Sequence, residues 1–81
     1  MSKIDKLVEK LLLGHSDNNF DFDDLRKVIL HFGFAEDIKG SHHTYRIKSH
    51  NAFINIQPSG KNSKPYQVKQ VRKILSKYFI K

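Results

Sequence analysis

Two adjacent histidines, His42 and His43, follow Gly40-Ser41 and lead into Thr44-Tyr45-Arg46-Ile47-Lys48. Polar and apolar residues alternate through this stretch, the period of a half-buried strand leaving a glycine turn. Side chains on a strand alternate between faces. His43, Tyr45 and Ile47 therefore form one set, and His42, Thr44, Arg46 and Lys48 the other. The set with Tyr45 and Ile47 is the one to bury, which leaves His42 on the open face beside two cations. An imidazole, titrating at about 6.5 when unperturbed, can take a proton from a ribose 2′-hydroxyl near neutral pH. Lysine or arginine can stabilise the charge that develops on the phosphate. Neighbouring cations also favour the neutral, basic form of the ring. His42 is thus a candidate general base for RNA cleavage.

The charge distribution supports a polyanionic partner. The chain of 81 residues carries a net charge of +7. Residues 1–37 hold all 8 acids and 5 bases, a net of −3, while residues 38–81 hold 10 bases and no acid. A half without a carboxylate favours nucleic acid, although an acidic partner protein fits the same charge.

The elements that must position His42 follow from the apolar periodicity. Ile4, Leu7, Val8, Leu11 and Leu12 form one stripe of a first helix that stops at Gly14. Residues 15–19 read as a polar, flexible connector, so residues 1–19 are set apart from a domain at 20–81. The leucine stripe either packs on that domain or docks on another chain. A second helix begins near Asp21, a plausible N-cap, with Phe20 able to staple onto Leu25; Leu25, Val28, Ile29 and Phe32 make its core face and Gly33 ends it. Strands are expected at residues 34–39, 42–48 and 53–57, with a turn at 49–52 and a basic loop from Lys61 to Lys64. On the third strand Ile54 and Ile56 point inward, so Phe53, Asn55 and Gln57 share the open face with His42. Pro65 opens a last helix whose stripe is Val68, Val71, Ile74, Leu75, Tyr78 and Phe79. The fold class is α+β: α-β-β-β-α with a three-stranded antiparallel sheet, both helices on one face, and an extra N-terminal helix.

Other uses of the histidines are less well supported by the pattern. His42 and His43 diverge on a strand, no cysteine exists, and no acid follows position 37, so a zinc site is not expected and no cofactor is called for. His15 lies in a polar loop. His31 suits a helix C-terminus, and His50 falls in the turn, where solvation is expected. The chain holds no apolar run long enough for a membrane span and no signal-peptide pattern at its start, which implies a soluble, cytoplasmic protein.

Gly40-Ser41-His42-His43-Thr44-Tyr45 resembles the glycine-serine-histidine motif of HicA toxins, the small mRNA interferases of bacterial toxin–antitoxin pairs. Asp24-Leu25-Arg26-Lys27 through Phe32-Gly33-Phe34 resembles the first helix of that family and its glycine-aromatic exit. Phe53-Ile54-Asn55-Ile56 resembles its third strand. Lys64-Pro65, Val68 and Val71-Arg72-Lys73-Ile74-Leu75 resemble its closing loop and last helix. The resemblance covers about residues 21–80. It implies a fold similar to a double-stranded-RNA-binding domain, metal-independent cleavage of mRNA by one histidine, here His42, and neutralisation by a HicB-type antitoxin that covers the active face. The oligomeric state is left open, a monomer among the options. Ser41, Arg46, Lys48, Lys61 and Lys64 are the candidates for phosphate contacts. Family members often carry a proline and then a histidine at the end of the third strand, where this chain has Gln57-Pro58-Ser59, and the first twenty residues lie outside the family core. Two further readings fit the same pattern: a non-catalytic RNA-binding module, and a basic interaction protein that binds an acidic partner.

Overall fold

The computed structural model describes residues 3–80. Helix α1 (Lys3–Leu13) turns its stripe inward, with Leu11 fully buried and Ile4, Leu7 and Val8 packed against the core. It ends at Gly14, whose φ of +75° suits glycine, and a Cβ there would lie 3.3 Å from the Arg72 guanidinium. The connector is not a free tether. Asp17, in a 3-10 turn over Asp17–Asn19, is buried and accepts two hydrogen bonds from Arg72, at 2.8 and 3.0 Å. Arg72 Nη1 also donates to the Leu11 carbonyl at 3.2 Å, one of the acceptors that a helix end leaves unsatisfied.

Helix α2 (Phe22–His31) starts as its sequence dictates. The Asp21 carboxylate accepts from the Asp24 N–H at 3.0 Å, and Asp23 and Asp24 occupy the first turn, where negative charge suits the helix dipole. Phe20 and Leu25, the expected staple, are both fully buried. Val28 and Ile29 complete the buried stripe, while Phe32 caps the helix half-buried.

Strands β1 (Ala35–Lys39), β2 (His42–Ile47) and β3 (Ala52–Ile56) form an antiparallel sheet in that order. Lys39 pairs with His42 across a two-residue turn at Gly40-Ser41, with φ of +60° at Gly40; positive φ at the first central residue matches a type II′ hairpin turn. The second strand ends one residue earlier than its alternation suggests. Lys48 opens a 3-10 turn over Lys48–His50, and Asn51 reverses the chain in the left-handed region at φ 50°, donating its N–H to the Lys48 carbonyl at 3.2 Å. That reversal also brings Ala52 into β3, so the third strand starts and stops one residue before its expected limits.

The expected basic loop is partly ordered as a ladder. β4 (Pro58–Ser59) and β5 (Asn62–Ser63) make a small hairpin. The Phe22 N–H donates to the Lys61 carbonyl at 2.9 Å and the Ser63 N–H to the Phe20 carbonyl at 2.8 Å, which ties the hairpin to the start of α2. Helix α3 (Pro65–Phe79) begins on Pro65 and buries Val68, Val71 and Leu75.

The inner face of the sheet carries Tyr45, Ile54 and Ile56 into the core. Helix α2 meets it over β1 and β2 and α3 meets it at β3, while α1 packs against the two helices. The architecture is α+β, three helices with a three-stranded antiparallel sheet. Among the described residues no helix is long and apolar enough to cross a membrane.

Candidate functional site

The register fixes what the open face displays. Ala35 pairs with Arg46, Asp37 with Thr44 and Lys39 with His42; on the other side of β2, Thr44 pairs with Asn55 and Arg46 with Phe53. Paired residues project to the same side. The open face thus carries Lys39, His42, Thr44, Arg46, Phe53 and Asn55, with Asp37 as a carboxylate at its β1 edge. His42 is exposed, as its strand position requires.

Beneath this face, β2 is clamped to α2. The Tyr45 hydroxyl donates to Glu36 Oε2 at 2.7 Å, and Arg26 holds the same carboxylate through Nε and Nη2 at 2.9 and 3.0 Å. The Arg26 hydrogen bond is the main reason the Glu36 carboxyl is held below its ordinary range, with Tyr45 assisting against the cost of burial. Burial first, and the Glu36 carboxylate second, push the Tyr45 phenol above its ordinary value. Arg26 is held still more firmly protonated by Glu36. The residue three positions after His42 therefore locks the strand on which His42 stands.

His42 itself enters a hydrogen-bonded chain. Its Nδ1 lies 2.9 Å from Gln57 Nε2. Lys64 Nζ donates to Gln57 Oε1 at 3.0 Å. The Gln57 backbone N–H donates to Gln67 Oε1 at 2.8 Å, and Gln67, on α3, is only 6% exposed. Both ends of Gln57 are thus fixed. An ammonium can only donate, so the Gln57 carbonyl oxygen must face Lys64 and its NH2 must face His42. The ring then accepts at Nδ1, and a neutral ring that accepts at Nδ1 carries its proton on Nε2. The free edge of His42 is a donor in this arrangement, not the base that residue type alone suggests.

The remaining candidates are divided among four places. Lys64 joins His42 through Gln57. Arg46 and Lys48 lie at the far end of β2, where Arg46 stands over the Phe53 ring at 5.0 Å and both line a cleft of ≈ 400 Å³ with Ile47, Asn51, Ala52 and Phe53. Lys48 stands in the turn after β2 rather than in a strand row with Arg46. Lys61, at the tip of the β4–β5 hairpin, borders a cleft that Asp21 and Asp23 also line. Ser41 is exposed in the hairpin turn, and its carbonyl accepts from His43 Nδ1 at 3.2 Å.

The other histidines separate from His42. His43 faces inward, its ring edge-on to Phe22 at 4.8 Å. His50 is not a solvated turn residue: it is half-buried, with its ring 4.6 Å from Phe79 and 5.6 Å from Tyr78. The 3-10 turn directs it onto the end of α3. His15 and His31 are exposed at other sites. Among the described residues no group of three or more His, Asp or Glu side chains is arranged to hold a metal ion.

Gln57 and Gln67 are the site residues that residue type did not flag. Strand alternation already puts Gln57 on the open face, but an amide carries no chemical signature of its own. Gln67 lies in a helix and its burial depends on tertiary packing. No family model, no curated protein and no solved structure matches this chain.

Proposed function

We propose that this protein is a metal-independent endoribonuclease acting on mRNA, the toxin of a toxin–antitoxin pair, with His42 as its acid–base residue. The observation that carries this reading is the His42–Gln57–Lys64 chain, which joins an exposed imidazole to a cation on an open, basic sheet face. The ordered HicA-like motifs support it. So does the order α-β-β-β-α, which fits a double-stranded-RNA-binding-like fold with α1 appended. A HicB-type antitoxin covering the open face is the partner this reading calls for, and the cytoplasm is its place of action.

The chemistry uses the chain in two states. A scissile phosphate draws the Lys64 ammonium to itself, where the cation neutralises charge in the transition state. Gln57 is then free to turn its amide, and the ring loses its Nε2 proton to solvent and gains one at Nδ1, so that the Gln57 oxygen accepts from Nδ1–H and the lone pair is exposed on Nε2. Nε2 takes the proton of the ribose 2′-hydroxyl as the 2′-oxygen bonds to phosphorus and the bond to the 5′-oxygen breaks. The products are a 2′,3′-cyclic phosphate and a 5′-hydroxyl. The same imidazolium returns its proton to the leaving 5′-oxygen, since His43 faces inward and no second histidine shares the face.

One observation favours a second reading, RNA binding without cleavage. In the resting tautomer Nε2–H is a donor, suited to hold a phosphate oxygen. Incubating purified protein with a labelled mRNA decides between the two. Cleavage to cyclic-phosphate ends, reduced about 10²–10⁴-fold by His42→Ala, supports the nuclease. An RNA that is bound but left intact by the wild type rejects it.

A further inference from the structure

Phe53, near the start of the edge strand β3, is 47% exposed on the sheet's open face. Every other residue on that face of β2 and β3 is polar. Its cross-strand partner is Arg46, whose guanidinium stands 5.0 Å from the ring centroid. With Lys48 the pair borders an open cleft of ≈ 400 Å³, within the size range of small-molecule sites. The Tyr45 clamp accounts for the buried side of this strand and leaves the Arg46–Phe53 pair unexplained.

We infer that Phe53 and Arg46 form a stacking subsite for one unpaired nucleobase of a single-stranded RNA, with Lys48 on the adjoining phosphate. An aromatic ring and a guanidinium plane are the two side-chain surfaces on which unpaired bases stack. Such stacking tolerates any base, because every base has a π-face. The charge pattern selects a nucleotide over a protein anchor. An aliphatic side chain seated on Phe53 would desolvate Arg46 without giving it a partner, whereas a nucleotide supplies both a base for the ring and a phosphate for the cation. Residues 38–81 contribute no carboxylate to oppose it.

The distance sets what the subsite does. His42 and Arg46 are four residues apart on one strand, about 13 Å, a span that single-stranded RNA covers within a few nucleotides. The subsite therefore fixes the register of the strand relative to His42 and requires an unpaired base near the scissile bond. This rests on reading the open face as an RNA surface, but not on cleavage.

The test uses the full chain and a fluorescent 2′-O-methyl octanucleotide, which lacks the free 2′-hydroxyl that cleavage needs. Phe53→Ala is expected to weaken binding about tenfold, within the range for one stacked base, while Phe53→Trp retains it. The salt dependence of binding stays unchanged in Phe53→Ala, because stacking releases no counterions. An abasic scan of the oligonucleotide should find one position whose loss matches the effect of Phe53→Ala and adds nothing to it. Thermal melts of both variants confirm that the fold is kept. Equal affinity of Phe53→Ala and wild type overturns the inference while leaving the RNA reading intact. So does an abasic scan in which the variant and the wild type lose alike. Failure of the wild type to bind at low salt overturns both, and a Phe53-dependent protein partner would then own the ring. Binding that depends on Phe53 in a protein that never cleaves RNA upholds the subsite and removes the nuclease.

Discussion

His42 Nδ1 accepts from Gln57 Nε2 at 2.9 Å, and the direction of that bond is dictated by Lys64 on the far side of the amide. Three residues, one on β2, one in the link between β3 and β4 and one at a helix cap, thus determine which ring nitrogen holds the proton. In ¹⁵N spectra the neutral ring of His42 should be the Nε2–H tautomer in the free protein. Gln57→Glu reverses the polarity: a carboxylate accepts from Nδ1–H and still pairs with Lys64. That variant should retain cleavage, with the acid limb of its pH–rate profile moved to higher pH, because the new charge favours the imidazolium. Gln57→Leu leaves His42 without an orienting partner and should lower kcat by roughly tenfold or more, with a smaller change in KM. Unchanged kcat in Gln57→Leu would remove Gln57 from the mechanism.

Asp17 and Arg72 make the corresponding test for α1. Their side chains are 11% and 23% exposed, and Arg72 also caps the α1 carbonyl of Leu11. The pair holds the Arg72 guanidinium more firmly protonated than usual, chiefly through the hydrogen bonding it donates to Asp17. Asp17→Ala leaves a half-buried cation without its partner, so a loss of roughly 1.5–3 kcal/mol is expected. For a domain of this size that lowers Tm by about 10 °C. If Tm moves by a degree or less, the connector is not what secures α1.

Much of this arrangement is legible in residue order, and the exceptions have a common cause. The Asp21 cap, the Gly40 turn and the burial of Tyr45 with Ile54 and Ile56 follow from local chemistry or strict alternation. His42 is separated from His43 by the same alternation. The Asp17–Arg72 pair spans 55 positions and the Gln57–Gln67 bond joins a strand end to a helix, and no local pattern encodes either. Asp17 looks like a loop residue until α3 supplies its partner. His50 looks solvated until the Asn51 reversal turns it onto Phe79 and Tyr78. Lys61 and Lys64 look equivalent in a basic run, yet the β4–β5 hairpin sends one towards Asp21 and Asp23 and the cap of α3 sends the other to Gln57.

The Glu36–Tyr45 bond predicts how stability responds to pH at both extremes. Glu36 is held below its ordinary value in the folded state. The unfolded chain therefore takes up a proton first as acid is added, and the stability Glu36 contributes is full above about 4.3 and is lost as pH falls through its folded value. Tyr45 is shifted the other way. Its contribution is full below about 10 and is lost as pH rises towards its folded value, because the unfolded phenol ionises first. Denaturant midpoints across pH should thus fall at both ends. Glu36→Gln should flatten the acid limb, and Tyr45→Phe the alkaline one. An alkaline limb identical in wild type and Tyr45→Phe would show that other groups control it.

Lys64 and Lys61 give the sharpest contrast for RNA. Lys64 reaches the amide beside His42, so a phosphate bound there meets a cation already in place; Lys61 borders Asp21 and Asp23. Each phosphate neutralised on a single strand contributes about 0.7 to the slope of log affinity against log salt. Lys64→Gln should therefore reduce that slope by about 0.7 and weaken binding at low salt, while Lys61→Gln leaves the slope within error of wild type. Lys64→Gln carries a second consequence that a purely electrostatic contact lacks. A neutral amide can donate or accept, so Gln57 is no longer compelled to present its oxygen to position 64, and the His42 tautomer should become mixed in the ¹⁵N spectra. A reduced slope with an unchanged tautomer assigns Lys64 to the phosphate alone; a changed tautomer with an unchanged slope assigns it to orienting His42 alone. Both changes together are what the His42–Gln57–Lys64 chain requires.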